Sequence, residues 1–370
     1  MCGFSFTVFL SAFQLFPTAP FHIIDLGGST FASGMFLGFL TYSSAFSAPL
    51  TGSYADRIGQ RRVLIVCSMA LVGFSLLYAV ITDYRVLLGL VLVHGVFWSG
   101  LLSASASYMT HILPAHRRAE GIGYWGLATL AAVAVAPLVG FWFYRRGWVW
   151  LCVVTAALNA IMAGIAYTLE EHRHQVEERP SEGGVIEWRV LVMSITLALY
   201  SFGYGGITSF TAMYADANGV QPKSLYLSAL AVVILLTRPV FGRLGDRWGY
   251  KRVFVPCLVL IVAGLGILAL GGTRGWMLAS AIVFGVGFGT AYPSYVGYVM
   301  QHVSPYRRGA AFGALLAAFD TGIGTGSTTM GWLIQRFDYS VAFGVATACA
   351  ALAIPYFLTA DRYYWRSAHR

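Results

Sequence analysis

The chain has 370 residues, of which 58% are hydrophobic and only 11% charged, with a mean hydropathy of +0.69 and a formal net charge of +9. Soluble domains carry about 25% charged residues, so this composition excludes an ordinary water-soluble globule and points to immersion in a membrane. The five cysteines, Cys2, Cys67, Cys152, Cys257 and Cys349, fall in apolar segments without CxxC spacing, which indicates neither a metal site nor a disulfide framework.

Apolar material comes in long runs, such as 63–81 and 341–360. A spanning helix needs roughly 20 mostly apolar residues, whereas the strands of a membrane barrel are about half as long and alternate polar with apolar. These runs do not alternate, so helices follow. Twelve spans are predicted: 1–24, 31–53, 63–82, 86–110, 122–143, 148–169, 188–214, 224–244, 252–271, 275–300, 309–333 and 340–360. The first is read as a span rather than a cleaved signal, because no small-residue cleavage site followed by a soluble domain appears. The longest hydrophilic stretch, 170–187, separates spans six and seven. It is expected to be a cytoplasmic linker, its first part (170–178) a short surface helix, between an N-terminal six-helix bundle (1–169) and a C-terminal one with a short cytoplasmic tail (188–370).

Orientation follows from Lys and Arg. With the N-terminus in the cytoplasm, the inner segments hold seventeen of them and the outer segments six, while Arg238 lies within span eight. The bias places both termini inside. It also accounts for the basic balance without nucleic acid.

Two charged strings stand out, "GSYADRIGQRR" at 52–62 and "GRLGDRWGYKR" at 242–252. A shift of 190 carries Pro49, Gly52, Asp56, Arg57, Gly59 and Arg62 onto Pro239, Gly242, Asp246, Arg247, Gly249 and Arg252. The same shift carries Gly95 onto Gly285, and Arg117, Arg118 and Gly123 onto Arg307, Arg308 and Gly313. One ungapped offset aligning three regions reads as two parallel six-helix halves. Such halves are related by an axis along the membrane normal, with a substrate site near the midplane.

These residues resemble the major facilitator superfamily (MFS) of secondary transporters, efflux-permease-like members in particular. The first string is similar to that family's G-x-L-A-D-R-x-G-R-R motif, with Tyr54 in place of Leu; the second keeps Leu244 and has Gly245 for Ala. "HGVFWSGLLSASASYM", "RRAEGIGYWGLA", "SFGYGGITSFTAMYA" and "AAFDTGIGTGSTTMGW" resemble its fourth, fifth, seventh and eleventh helices. Two departures separate the chain from drug–proton antiporters. Val91 occupies the helix-four position where those carry Arg, and Ala136-Pro137-Leu138-Val139-Gly140-Phe141 is half a match to Gly-Pro-x-x-Gly-Gly. The resemblance implies an all-α integral membrane protein of twelve transmembrane helices in two pseudo-symmetric bundles, working by alternating access. By the same resemblance Gly52, Asp56, Arg57, Gly59, Arg62, Gly242, Asp246, Arg247, Gly249 and Arg252 are expected to act as conformational latches. The plainer alternative is a positive-inside loop with turn glycines.

Among polar residues deep in the spans, Asp320 is the only acidic one near a span centre, and a charge there costs about 2.5–3.5 kcal/mol on insertion scales. It is the candidate coupling group, protonated during transport or meeting a cationic substrate; the alternative is an Asp satisfied by hydroxyls such as Thr321. Arg238 precedes Pro239 at the inner end of span eight, where snorkelling or a latch contact is expected. Gln14, the i,i+4 pair His94 and Trp98, the pair Tyr200 and Tyr204, and Tyr292 and Tyr295 around Pro293 are candidate cavity residues. Ordinary helix packing is the alternative for each. Asn159 is expected to form an interhelical hydrogen bond. No HExxH, P-loop or GxSxG element occurs, so no catalytic residue, metal or cofactor is assigned.

The expectation is thus a secondary active transporter of a small molecule in the plasma membrane, working as a monomer within the lipid bilayer. Proton-coupled efflux is preferred over the alternatives, uptake by a symporter or facilitator, or a transporter-like ligand sensor.

Overall fold

The computed structural model describes residues 1–112, 118–171, 188–304 and 307–366, with some helical side chains set aside. The expected surface helix at 170–178 and the rest of the linker lie almost wholly outside the described residues. In chain order the helices are α1 (Cys2–Leu15), α2 (Ala19–Asp25), α3 (Thr30–Ile58), α4 (Gln60–Val80), α5 (Tyr84–Ile112), α6 (Arg118–Tyr144) and α7 (Trp148–Thr168). Then follow α8 (Trp188–Met193), α9 (Ile195–Ala217), α10 (Leu225–Trp248), α11 (Tyr250–Leu270), α12 (Arg274–His302), α13 (Arg308–Arg336) and α14 (Tyr339–Asp361), ending in a π-helical turn at Arg362–Arg366. Among the described residues there is no strand.

The all-α, twelve-span architecture is as the sequence implies, with two spans broken. Pro17 separates α1 from α2, since proline lacks the N–H of the helical ladder and its ring clashes with the preceding turn, while Pro20 sits in the first turn of α2, where proline is tolerated. A break at Ser194 separates α8 from α9. Among the described residues, eight segments are long and apolar enough to cross a membrane on length and composition. α3, α9, α10 and α13 are not among them. They carry the serines, threonines, glycines and charges that a helix can hold in lipid only when neighbours satisfy them.

The described residues fall into two compact units: Met1–Gly28 with Phe39–Arg179, and Ser29–Gly38 with Pro180–Arg370. In the first, Asn159 of α7 joins three helices. Its amide donates to the Leu71 carbonyl at 3.2 Å and to Ser75 Oγ at 3.1 Å, and its oxygen accepts from Ser11 Oγ at 2.7 Å. Intramembrane hydrogen bonds average about 0.6 kcal/mol each. Asn159→Leu is therefore expected to destabilise the protein by about 2 kcal/mol, read by thermal unfolding in detergent. A loss indistinguishable from zero would show that these bonds are replaced in the variant.

In the second unit α9 packs on α13. Ser209 and Ser327 share a hydrogen bond at 2.7 Å, and Ser201 Oγ donates to the Phe319 carbonyl at 3.1 Å. The first turns of α3 belong to this unit because small residues let backbones meet there. Ser327 Oγ donates to the Gly34 carbonyl at 2.8 Å, and the Phe31 amide donates to Gln335 Oε1 at 3.0 Å.

The 190-residue repeat is also a structural repeat inside each unit. Gly59 (φ 98°) precedes α4 and Gly249 (φ 87°) precedes α11, each with a backbone that only glycine adopts without strain. Gly95 of α5 sits against Leu40 and Ser43 of α3, and Gly285 of α12 sits against Leu230 and Val233 of α10. All four positions differ by 190.

Candidate functional site

The charged strings close the α3–α4 and α10–α11 turns. Arg57, Arg247 and Arg252 are exposed, and Gly52 lies in helical α3. The backbones of Asp56, Gly242 and Asp246 are helical, but their side chains lie outside the described residues. What the structure adds is a tether inside each unit. Arg61 donates to the Tyr167 carbonyl at 2.6 Å and stacks over the Tyr167 ring at 5.3 Å. Arg62 pairs with Glu171 at 3.0 Å, and the Tyr108 hydroxyl donates to the Glu170 carbonyl at 3.1 Å. In the second unit Lys251 and the Tyr298 hydroxyl both donate to the Asp361 carboxylate. Lys251 is Arg61 shifted by 190, and Tyr298 is Tyr108 shifted by 190. Each sixth span is thus tied at its end to the third and fourth spans of its own unit. An apolar groove of about 490 Å³ beside Arg57 is lined also by Leu50, Tyr54, Val66 and Phe97.

The candidate cavity residues of the first unit disperse. Gln14 is fully buried and donates to Thr155 Oγ1 at 2.7 Å, while its own oxygen has no partner among the described residues. His94 and Trp98 share a helix face in sequence but serve different neighbours. His94 stacks on Phe74 of α4 at 5.4 Å and meets the Tyr78 hydroxyl at 2.9 Å. Trp98 lies edge-on to Phe9 of α1 and to Phe16 just past its end, at 6.1 and 6.3 Å.

The second unit gathers its candidates more closely. Tyr204 stacks on Phe288 at 4.3 Å, and Tyr200 meets the same ring edge-on at 6.0 Å. The Tyr200 hydroxyl is buried without a partner among the described residues. Tyr292 and Tyr295 diverge around Pro293. Tyr295 is buried against Phe254 at 5.0 Å and Phe357 at 6.1 Å, whereas half-buried Tyr292 packs on Phe319 at 5.1 Å. The Tyr292 hydroxyl lies within electrostatic reach of both the Asp320 carboxylate and the Arg238 guanidinium. Asp320 and Arg238 are half-buried.

Depth makes this grouping distinctive. Arg238 lies ten residues before the end of α10, Tyr292 ten before the end of α12, and Asp320 twelve after the start of α13. Those three helix ends lie at the same end of the unit. At 1.5 Å per residue the three side chains lie about 15–18 Å from their helix ends. The apolar stretch of α10 runs from Leu225 to Arg238, and the helix continues past Arg238 through the charged string to Trp248. The repeat sharpens the point, because the positions 190 residues earlier are Ala48, Leu102 and Leu130. Sequence reading under-weighted Arg238, and subtracting the offset is the signal that singles it out.

Eight membrane-length apolar segments among the described residues define a polytopic membrane protein. The chain belongs to the Major Facilitator Superfamily, whose family profile matches residues 1–236 and again 193–369. It is accordingly a multi-pass membrane transporter. An MFS-type transporter of Escherichia coli K12, YhhS, is 23% identical over 364 residues, covering 95% of this chain and 89% of that one. The Salmonella typhi YhhS is 23% identical over 361 residues, with the same coverage. These relatives are described as transporters, not enzymes. Among solved structures, the nucleoside transporter NupG superposes with a TM-score of 0.74 at 18% identity, covering 97% of this chain and 98% of that one. A bacterial homologue of the human lysosomal transporter Spinster, inward-facing and occupied, reaches a TM-score of 0.79 at 15% identity, covering 98% and 96%. At those identities the likeness is one of fold.

Proposed function

We propose that the protein is a proton-coupled secondary transporter of a small amphipathic molecule, with Asp320 as the group that takes up and releases the proton. The carrying observation is that Asp320 and Arg238 both lie within electrostatic reach of Tyr292 in the second unit, where the first repeat has Leu130 and Ala48. A charge at mid-membrane costs about 2.5–3.5 kcal/mol on insertion scales. The matching half folds without either residue, so the scaffold does not need them and the cost serves the transport cycle. Tyr292 of α12 lies within electrostatic reach of Asp320, Ser201 of α9 donates to the carbonyl of the preceding Phe319, and Thr321 follows Asp320 on α13. Protonation removes the negative charge and with it most of the desolvation cost of moving the site between two aqueous faces. By resemblance, the charged strings act as latches in that movement.

Co-transport of substrate and proton is the first reading, because Val91, where antiporters carry a second deep Arg, is fully buried and apolar. Export in exchange for protons is the second, carried by the resemblance of the strings and helix segments to efflux-type members. A thermal-shift screen over metabolites and drugs supplies a compound for counterflow in proteoliposomes. With that compound, an imposed pH gradient is expected to drive accumulation, on the acidic side for exchange and away from it for co-transport. Asp320→Asn is expected to lower gradient-driven accumulation at least tenfold while preserving counterflow. Unchanged gradient dependence in that variant removes Asp320 as the carrier, and binding without counterflow makes the protein a sensor.

A further inference from the structure

We infer that the substrate is an organic anion with a flat, aromatic or ring-like body, and that Arg238 is the residue that selects it. This rests on the reading of the second-unit cluster as the transport site. A half-buried guanidinium sits about 15 Å from the nearest end of α10, and among the described residues no hydrogen bond or ion pair reaches it. Its electrostatic neighbour is the Tyr292 phenol, which is neutral and leaves the positive charge in place. Buried guanidinium groups are normally met by carboxylate or phosphate, which fit its fork in a bidentate, charge-assisted geometry. A half-buried guanidinium in this setting is matched by the carboxylate or phosphate of an anionic substrate.

The surroundings supply the rest of the recognition. Tyr204 and Phe288 are stacked at 4.3 Å, Phe288 lies 6.2 Å from Phe319, and Tyr292 lies 5.1 Å from Phe319. These four rings, from α9, α12 and α13, form a run of aromatic contacts that ends at Tyr292, the electrostatic neighbour of Arg238. A planar apolar body gains offset stacking there, worth about 0.5–1.5 kcal/mol per pair beyond burial. A cationic amphiphile, the alternative partner for Asp320, meets the charge of Arg238 in the same place. The first unit holds no equivalent, since Ala48 stands at the position of Arg238. Selection is therefore a property of the second unit.

The test measures binding to the purified full-length protein at neutral pH. Benzoate, phenylacetate and indole-3-acetate are compared with their neutral amides and with benzylamine by calorimetry and thermal shift. The acids are expected to bind ten to a hundred times more tightly than the amides, the range set by a charge-assisted bond of about 1.5–3 kcal/mol. Arg238→Gln is expected to bring the acids down to the level of the amides; Arg238→Lys, which keeps the charge but not the fork, to retain part of the preference. Ligand-free thermal unfolding of both variants separates loss of recognition from loss of folding. Equal binding of acid and amide, tightest binding of benzylamine, absence of binding by every acid, or an intact preference in folded Arg238→Gln each overturns the inference. If acids bind through Arg238 while Asp320→Asn leaves gradient dependence unchanged, only the coupling assignment fails. If coupling holds while acids and amides bind alike, only the anion assignment fails.

Discussion

Asp361→Ala is expected to destabilise the protein by about 3 kcal/mol in thermal unfolding, far more than Arg62→Gln. The two sites are counterparts in the repeat but differ in burial. Asp361 is 3% exposed and accepts from both Lys251 and Tyr298. Its removal strands a cation and a phenol, and breaking one side of a buried pair costs about 3–5 kcal/mol. The low end applies because the Lys251 side chain is 30% exposed and can turn its ammonium toward water. Arg62 and Glu171, by contrast, are 58% and 28% exposed, the regime in which an ion pair is worth about 0–1 kcal/mol. Replacing Lys251 by Met in the Asp361→Ala background is expected to recover part of the loss, since the stranded charge goes with it. Equal effects of Asp361→Ala and Arg62→Gln would show that the Asp361 contacts contribute nothing beyond a surface pair.

A second large effect is expected at Gly95. A β-carbon there would run into the Leu40 backbone carbonyl and Ser43 Oγ. A backbone carbonyl in a packed helix cannot step aside, so α3 and α5 must separate. Overpacking of this kind costs about 1–3 kcal/mol, and Gly95→Ala is expected at the upper end. At Gly285 the added carbon would meet side-chain atoms, Val233 Cγ1 at 2.9 Å, Val233 Cβ at 3.0 Å and Leu230 Cδ1 at 3.2 Å. The Leu230 tip can turn away while Val233 Cβ moves only with its backbone, and the gain of about 1 kcal/mol in helix propensity offsets part of the strain. Gly285→Ala is therefore expected to cost less than Gly95→Ala, and thermal unfolding of the two variants side by side decides the order. A reversed order would place the tight crossing in the wrong half.

The fold was legible because membrane helices write themselves as apolar runs and a gene duplication writes itself as a fixed offset. Gly59 and Gly249, read as turn glycines, occupy the same left-handed backbone conformation. Helix breaks were less visible. Pro17 was absorbed into an apolar run, and Ser194 carries no breaker signal at all. For the candidate site, periodicity pairs residues on a helix but does not say which neighbour receives them. His94 and Trp98, four apart, turn to α4 and α1 respectively. Tyr292 and Tyr295, three apart, go to Phe319 and Phe254. Arg238 reads as terminal because the charged string follows soon after it, yet α10 runs on to Trp248, ten residues further. The tethers at Tyr167, Glu170 and Asp361 needed coordinates, because two of the three acceptors are main-chain carbonyls with no letter in the sequence.

That last difference separates the evolutionary freedom of the two halves. A peptide carbonyl is present whatever side chain the codon specifies, so position 170 can drift while Tyr108 keeps its acceptor, whereas Tyr167 also offers its ring to Arg61. The second copy has placed the same duty on one carboxylate, and a single base change at codon 361 can release Lys251 and Tyr298 together. Inherited variation should accordingly be sparser at codon 361 than at codon 170.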